Sequence, residues 1–183
     1  MAIYFVTSNR NKFNEAERIL GMKLKRYDAG IKELQSMDAK EVAVDKARRA
    51  YAKLGKPLIV EDTGLNIAAL KGFPGALSSW VEISIGNRGI CDMVRGKGRN
   101  AYAETCAVFF DGKTLRAFTG RTYGKIMDHP KGRNGFGWDY IFRPDGCRKV
   151  YAEMTMDEKN RISHRGKAFS KMKKYLEGAG AHG

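Results

Sequence analysis

The sequence predicts an α/β protein in which a mixed central sheet is flanked by helices. Short apolar runs rich in β-branched and aromatic residues, at 3–6 and 58–60, have the composition of buried strands. Segments with apolar residues at helical spacing alternate with these runs. Two longer strand-like segments, 101–110 and 114–123, surround the hairpin signal Asp111-Gly112. With 183 residues, no repeat and no linker, the chain is predicted to form one domain over 1–183.

The first half of the chain predicts two strands and two helices. A helix over 11–20 follows the first strand and ends at Gly21. Asp38 with Glu41 three residues later predicts a capping box for a second helix, which Gly55 and Pro57 end. Strand 58–60 follows, and Thr63-Gly64 is predicted to begin a turn. The apolar stripes that define the two helices are Phe13, Ala16, Ile19 and Leu20, and then Val44, Ala47, Tyr51 and Leu54.

The second half predicts a weakly patterned helix over 76–95, the hairpin, a short strand at 140–142 and a last helix. The inner face of that helix is formed by Ala168, Phe169, Met172, Tyr175 and Leu176. The glycine- and alanine-rich residues 178–183 are predicted to be a disordered tail.

Composition excludes several classes of protein. No apolar run approaches the length of a membrane span, and no signal peptide is seen, so no membrane association is expected. Three cysteines without CxxC spacing argue against a disulfide framework or a zinc site and favour a reducing cytoplasm. The net charge of +14 favours a polyanionic partner, either nucleic acid or a nucleoside triphosphate, although a solvated basic surface is the alternative.

Five polar clusters follow apolar runs or begin helices, where loops of α/β proteins usually carry the chemistry. Together they offer acidic metal ligands, phosphate-binding cations and aromatic surfaces. The clusters are Thr7-Ser8-Asn9-Arg10-Asn11-Lys12, Glu61-Asp62-Thr63-Gly64, Gly72-Phe73-Pro74-Gly75, Phe136-Gly137-Trp138-Asp139 and Ser163-His164-Arg165-Gly166.

The first cluster lies where a strand meets a helix. Free backbone N–H groups and the positive end of the helix dipole favour anions there, and Lys12 adds a full charge. The alternative is an ordinary helix cap, because Ser8, Asn9 and Asn11 are all good capping residues.

The second cluster supplies carboxylates. Adjacent Glu61 and Asp62 point to opposite faces of a strand, so they are predicted to have different roles. Mg²⁺ takes one or two protein carboxylates together with water and phosphate oxygens, and Glu33 is a plausible further ligand. A solvated acidic turn is the alternative.

The last two clusters suggest a site for a base. Phe136 and Trp138 stand beside flexible glycines, and an aromatic face stacks a base at about 1–3 kcal/mol. His164 and Arg165 can donate hydrogen bonds to a phosphate or to the oxo groups of a base. Core aromatics and a capped helix are the corresponding alternatives.

In their order along the chain, these clusters resemble the inosine triphosphate pyrophosphatase family, over Thr7 to about Ala168. The resemblance implies an elongated, two-lobed single domain with a central cleft, a homodimer, and hydrolysis of ITP, dITP and XTP to the monophosphate and pyrophosphate. It implies that Thr7, Ser8, Asn9, Arg10, Asn11, Lys12 and Lys159 hold the triphosphate. By the same resemblance Glu33 and Asp62 bind Mg²⁺, with Glu61 as a possible further ligand, and Asp62 is the general base. Thr63 contacts substrate, Phe136, Gly137, Trp138 and Asp139 line the base pocket, and His164 with Arg165 reads the base.

Two departures from the family pattern and two alternatives remain. Tyr140 stands where a proline is common, and residues 76–80 match only loosely, so no role is assigned to them. A basic nucleic-acid-binding module is one alternative, but no recognised binding motif is present and no specific nucleic acid partner is expected. A Maf-like pyrophosphatase with another base preference is the other. The expected partners are therefore small-molecule nucleoside triphosphates and a second copy of the chain.

Overall fold

A computed structural model describes residues 2–180 of the protein. Its strands are β1 (Tyr4–Val6), β2 (Lys25–Tyr27), β3 (Leu58–Ile67), β4 (Pro74–Gly75), β5 (Asn100–Phe110), β6 (Leu115–Ile126) and β7 (Phe142–Pro144). Its α-helices are α1 (Arg10–Leu20), α2 (Ala39–Leu54), α3 (Ser78–Met93), α4 (Met156–Ile162) and α5 (His164–Gly180). Short 3-10 helices cover Ala68–Leu70, Gly137–Tyr140 and Tyr151–Glu153.

The central sheet is mixed, as predicted. Its strand order is β2-β1-β3-β5-β6-β7, and β4 pairs separately with β3. The pairs of β1 with β2 and β3 are parallel, while the remaining pairs are antiparallel. The long strands β3, β5 and β6 form the centre of the sheet, and the shorter strands pair at its edges.

Apolar side chains form cores at both ends of these long strands. At one end, α1 and α5 pack on one face around Phe5, Ile59 and Phe169, and α2 packs on the other face. At the other end, Leu65 and Ile67 pack with residues of α3 and with Trp138. The two cores at the first end, one on each face, and the single core at the other end correspond to two lobes joined by the sheet.

An interruption beside β3 positions the cleft. Strand β1 pairs with β3 only at Leu58 and Ile59, whereas β4 pairs with it only at Leu65 and Asn66. Within the described chain, residues 60–64 therefore have no strand neighbour on that side, although β5 pairs with all of them on the other. The polar sequence Glu61-Asp62-Thr63 lies in this gap between the lobes.

Most predicted elements are confirmed. Helix α1 ends at Gly21 in the left-handed conformation, Asp38 caps α2 by accepting from the N–H groups of Lys40 and Glu41, and the predicted hairpin is β5–β6. No helix among residues 2–180 is long and apolar enough to cross a membrane.

Four local predictions were wrong. Thr63-Gly64 does not begin a turn, because β3 continues through them to Ile67 while pairing with β5. Glu41 does not complete a capping box, since its carboxylate accepts from the hydroxyl of Ser36. The strand near 140 begins only at Phe142, after a 3-10 helix that includes Tyr140. Helix α5 extends to Gly180, so 178–180 are not a disordered tail, and 181–183 lie outside the described residues.

Candidate active site

The turn between β1 and α1 forms one wall of the cleft. Asn9 caps α1, since its Oδ1 accepts from the Lys12 N–H at 3.1 Å. Thr7 holds the turn in place, because its Oγ1 accepts from the Asn9 N–H at 3.1 Å. With the cap closed in this way, Asn9 and Lys12 line the cleft. The capping interpretation and the anion-site interpretation of this turn are therefore compatible.

A buried ion network lies beneath that wall and has Arg165 at its centre. The Arg165 side chain is 2% exposed. Its Nε and Nη2 donate to the two oxygens of Glu61 at 2.8 and 3.2 Å, and its Nη1 donates to Glu15 at 2.6 Å. Nη2 also donates to Thr63 Oγ1 at 3.2 Å. Four of the five N–H groups of the guanidinium are thus used within the protein, and one on Nη1 remains.

Glu61 is held fully ionised by this network. Its burial alone would raise its pKa, but the adjacent Arg165 and Lys12 outweigh burial and lower it. The Lys12 Nζ lies 2.8 Å from Glu61 Oε1. Burial would lower the pKa of Lys12, yet Glu61 and Asp62 raise it. Because both oxygens of Glu61 are already paired with cations, Glu61 is unsuited to bind a metal ion, and the possible ligand role is corrected.

Lys159 forms a second part of the network, in contact with an aromatic ring. Its Nζ lies 2.9 Å from Glu15 and 2.6 Å from Asp139, and 4.6 Å from the centre of the Phe136 ring. Asp139 Oδ2 also accepts from the Phe136 N–H at 3.1 Å. A buried cation shared by two carboxylates has little free charge to offer a triphosphate. The structure places Lys159 behind Phe136, where it fixes the aromatic side of the cleft.

Asp62 is a buried acid of the site that keeps one oxygen unpaired within residues 2–180. It is 6% exposed, and its Oδ2 has no hydrogen-bond partner among the described residues. Burial raises its pKa to about 7, although Lys12 and Lys46 oppose the rise. A buried carboxylate that lines the cleft and has its pKa raised to about 7 is suited to general base chemistry.

Asp62 and Glu33 line the same cleft and form a donor set that fits a divalent cation. The unpartnered Asp62 oxygen lacks a positive neighbour in hydrogen-bond contact, and Glu33 is held by Lys46 at 2.5 Å. Among residues 2–180 no cluster of three or more acidic, histidine or cysteine side chains surrounds a common point. Two carboxylates suffice for Mg²⁺, which keeps waters and takes its remaining ligands from substrate phosphates.

The opposite wall of the cleft is aromatic. Trp138 lies against His164 with ring centres 5.3 Å apart, and Tyr151 lies 5.8 Å from the same imidazole. Burial, together with the neighbouring Arg165 and Lys159, lowers the pKa of His164 well below its ordinary value, so the imidazole is neutral. Its Nδ1 is buried without a partner among the described residues. A planar ligand between Phe136 and this wall would meet an aromatic surface.

Comparisons with known proteins agree with this arrangement. A family model described as the Ham1 family matches residues 3–175. The chain belongs to the Ham1 family. It is 40% identical over 176 residues to the "dITP/XTP pyrophosphatase" of Saccharolobus solfataricus, covering 94% of this chain and 92% of that protein. It is 39% identical over 189 residues to the "Inosine triphosphate pyrophosphatase" of Kluyveromyces lactis, covering 97% of each.

A solved structure of a Ham1 protein from Coxiella burnetii has the same fold. It matches with a TM-score of 0.84 and 27% sequence identity, covering 97% of this chain and 99% of that chain. The resemblance inferred from the five polar clusters is therefore confirmed, as is the mixed α/β fold class.

The structure of this Ham1 chain brings most predicted site residues to one cleft of about 220 Å³. Those lining it are Asn9, Lys12, Glu33, Asp62, Thr63, Phe136, Gly137, Trp138, Asp139, His164 and Arg165. Thr7 and Ser8 line an adjoining depression together with Glu33 and Lys46. Asn11 and Lys159 line a second depression, which shares Phe136 with the cleft. Arg10 is exposed at the first turn of α1 and lines none of these depressions.

Three charged residues of this Ham1 site were missed by the sequence interpretation, beside the uncharged Ala76, Ser78 and Ser79 that also line the cleft. Glu15 lies on the buried side of α1, but the residues one turn before and after it include Lys12 and Arg18, so its sequence surroundings give no signal of burial. Lys46 on α2 pairs with Glu33, and Glu82 on α3 lines the cleft near Gly137. The positions of Lys46 and Glu82 depend on how distant elements pack, so no local pattern marks them.

Proposed function

We propose that the protein is a metal-dependent nucleoside triphosphate pyrophosphatase that hydrolyses ITP, dITP and XTP to the monophosphate and pyrophosphate, removing them from the nucleotide pool. The observation that carries this proposal is the unpartnered, buried Asp62 carboxylate, which shares a cleft with Glu33 and Lys12 and faces an aromatic wall. Family membership and the names of the relatives support the reaction class.

The triphosphate is proposed to bind at the end of the cleft formed by the residues around β1 and α1. The turn at Asn9 presents the start of α1, where helix N–H groups favour anions, and Lys12 and Lys46 add positive charge. When bound at Asp62 and Glu33, Mg²⁺ would neutralise charge developing on the pyrophosphate leaving group. Asp62 orients or deprotonates a water for in-line attack at the α-phosphorus.

The purine base is proposed to bind at the aromatic wall of the cleft. Phe136 and Trp138 stack the purine, while the neutral His164 and the one remaining Nη1–H of Arg165 read its edge. A 6-oxo group accepts a hydrogen bond, whereas the 6-amino group of adenine is a donor and would face a donor. Discrimination built on such pairing reaches about 10⁴-fold. Rejection of GTP must arise from crowding or unmet hydrogen bonds at its 2-amino group.

The test is a panel of nucleoside triphosphates with Mg²⁺, with the products identified for each. We expect ITP, dITP and XTP to be good substrates, GTP a poor one, and ATP, CTP and UTP worse, with pyrophosphate released throughout. Phe136→Ala should weaken all purines together, whereas Arg165→Ala should narrow the preference for ITP over ATP. Equal hydrolysis of ATP and ITP, or release of orthophosphate, would contradict the proposal.

Two further features of the family resemblance belong to this proposal. A homodimer is the expected assembly, which sedimentation at several protein concentrations would test. A cytoplasmic location is expected because Cys91, Cys106 and Cys147 are free thiols.

A further inference from the structure

One face of the sheet is left open where α2 no longer covers it. Helix α2 packs on β3 and β5 around Val60, Cys106 and Val108. Beyond that contact, the same face of β5, β6 and β7 continues to the end of the sheet. Alternate residues of β6 are exposed there, and the residues between them are buried. We call this surface the open sheet face, and it is formed by Asn100, Tyr102, Glu104, Arg121, Tyr123, Lys125 and Arg143.

The centre of the open sheet face is an aromatic pair. Tyr102 and Tyr123 are direct cross-strand partners, with ring centres 5.8 Å apart. The guanidinium of Arg121 lies 4.3 Å from the centre of the Tyr102 ring, and its Nε donates to Glu104 at 2.8 Å. This ion pair neutralises the charge of Glu104, the only carboxylate that the strands contribute to the open sheet face. The ring of Tyr123 remains uncovered, with the residue 59% exposed.

Beside the aromatic pair stand two cations that the protein does not neutralise. Lys125 and Arg143 are direct cross-strand partners, so their side chains leave the same face. Like charges in this position destabilise a sheet. Within the described part of the chain neither residue forms a salt bridge, although Asp145 follows β7 at the rim. An anion placed over the pair would relieve the repulsion.

We propose that the open sheet face binds single-stranded nucleic acid, with a base stacked on Tyr123 and the phosphates over Lys125 and Arg143. An exposed aromatic ring beside unpaired cations is what unpaired bases and a phosphate backbone require. In a duplex the bases are already stacked and cannot lie on the ring. A second copy of the chain fits less well, because a two-fold interface would bring the same cationic face against itself.

The experiment measures fluorescence anisotropy of a labelled oligodeoxythymidylate of about 15 nucleotides, a length within the range of single-strand sites. Tyr123→Ala should weaken binding by at least about fivefold, the lower end expected when one base no longer stacks. Lys125→Glu should weaken it further and reduce the slope of log K against log salt by about 0.7 for each phosphate that is no longer neutralised. The matched control is Lys113→Glu, at the other end of the same hairpin, which changes the net charge equally and should leave binding within about twofold.

Hydrolysis of ITP by each variant confirms that it is folded, because none of the three residues lines the cleft. The proposal is overturned if wild-type protein does not bind the oligonucleotide, or if Lys113→Glu weakens binding as much as Lys125→Glu. It is equally overturned if a duplex of the same length binds as tightly as the single strand. Sedimentation of the wild type and of Tyr123→Ala is a further test. If the wild type is a dimer and the variant is a monomer, the open sheet face is an interface between copies of the chain, and the proposal is overturned.

Discussion

Replacing Asp62 by asparagine should stabilise the metal-free protein at neutral pH and lower its turnover of ITP at least about 10²-fold. The two side chains have nearly the same shape, but only the carboxylate has to be ionised inside the cleft. Asp62 has its pKa raised to about 7, so in the folded state it holds a proton that it would lose in the unfolded chain. An ionisable group at this position therefore lowers the free energy of unfolding at neutral pH. The amide cannot ionise in either state, so the variant does not have this penalty.

The magnitude follows from the difference between about 7 and the ordinary value of 3.8. At about 1.4 kcal/mol per pH unit, it amounts to on the order of 4 kcal/mol. The sign is set by the raised pKa: the penalty is absent below about pH 4, where both states are protonated, and grows until the pH passes about 7. Asp62→Asn should therefore match the wild type at acid pH and exceed it in stability at neutral pH.

The assay is urea unfolding of both proteins in a metal chelator, at about pH 4 and about pH 8. The control is Asp111→Asn in the β5–β6 turn, whose carboxylate accepts from the N–H groups of Lys113 and Thr114. Those bonds lower the pKa of Asp111, so this variant should gain no stability as the pH rises.

Added Mg²⁺ should stabilise the wild type more than Asp62→Asn, because the cation binds the ionised carboxylate. Turnover of ITP by the folded variant should fall at least about 10²-fold. A variant that gains nothing at the higher pH would refute the inference that Asp62 is a buried, uncompensated acid. Near-wild-type turnover would refute its catalytic role.

Three other predictions concern the network, the helix junction and the charge. Arg165→Met should lower the free energy of unfolding by about 3–5 kcal/mol at neutral pH, because the buried carboxylates of Glu15 and Glu61 would each lose one of their two cationic partners; a loss below about 1 kcal/mol in urea unfolding would count against it. Gly166→Ala should lower Tm, because a Cβ there would overlap the carbonyl oxygen of Asn160, whereas Gly178→Ala in the same helix meets nothing and serves as the control. Raising the salt concentration should lower kcat/KM for ITP and change kcat less, since the basic surface attracts the triphosphate; equal effects on both constants would contradict this.

Local chemistry explains which parts of the fold were predictable. Helix α1 was found because Asn9 and Gly21 mark its ends and one face is apolar, all of which are encoded within a dozen residues. The β5–β6 hairpin was found because Asp111-Gly112 selects a tight turn. The end of β3 was misplaced because Glu61-Asp62-Thr63-Gly64 has the composition of a turn. Pairing with β5 keeps this segment extended, and a partner about forty residues away leaves no local signal.

The sequence by itself determined the family, the α/β class and the identity of most polar side chains that meet in the cleft, because these are carried by short motifs in a fixed order. Tertiary structure decided which groups each of those side chains contacts and how deeply it is buried. Arg165 and Lys159 look like free cations in the sequence, but both are buried in ion pairs with Glu15, Glu61 and Asp139, and only one N–H of Arg165 is left unpaired in the part of the chain that the structure describes. Asp62, adjacent to Glu61 in the chain, points to the other face of β3, and its Oδ2 finds no partner among residues 2–180, so its proton affinity is raised. The energy of an ionisable group depends on its burial and on its nearest charges, and both are fixed only when elements distant in sequence pack together.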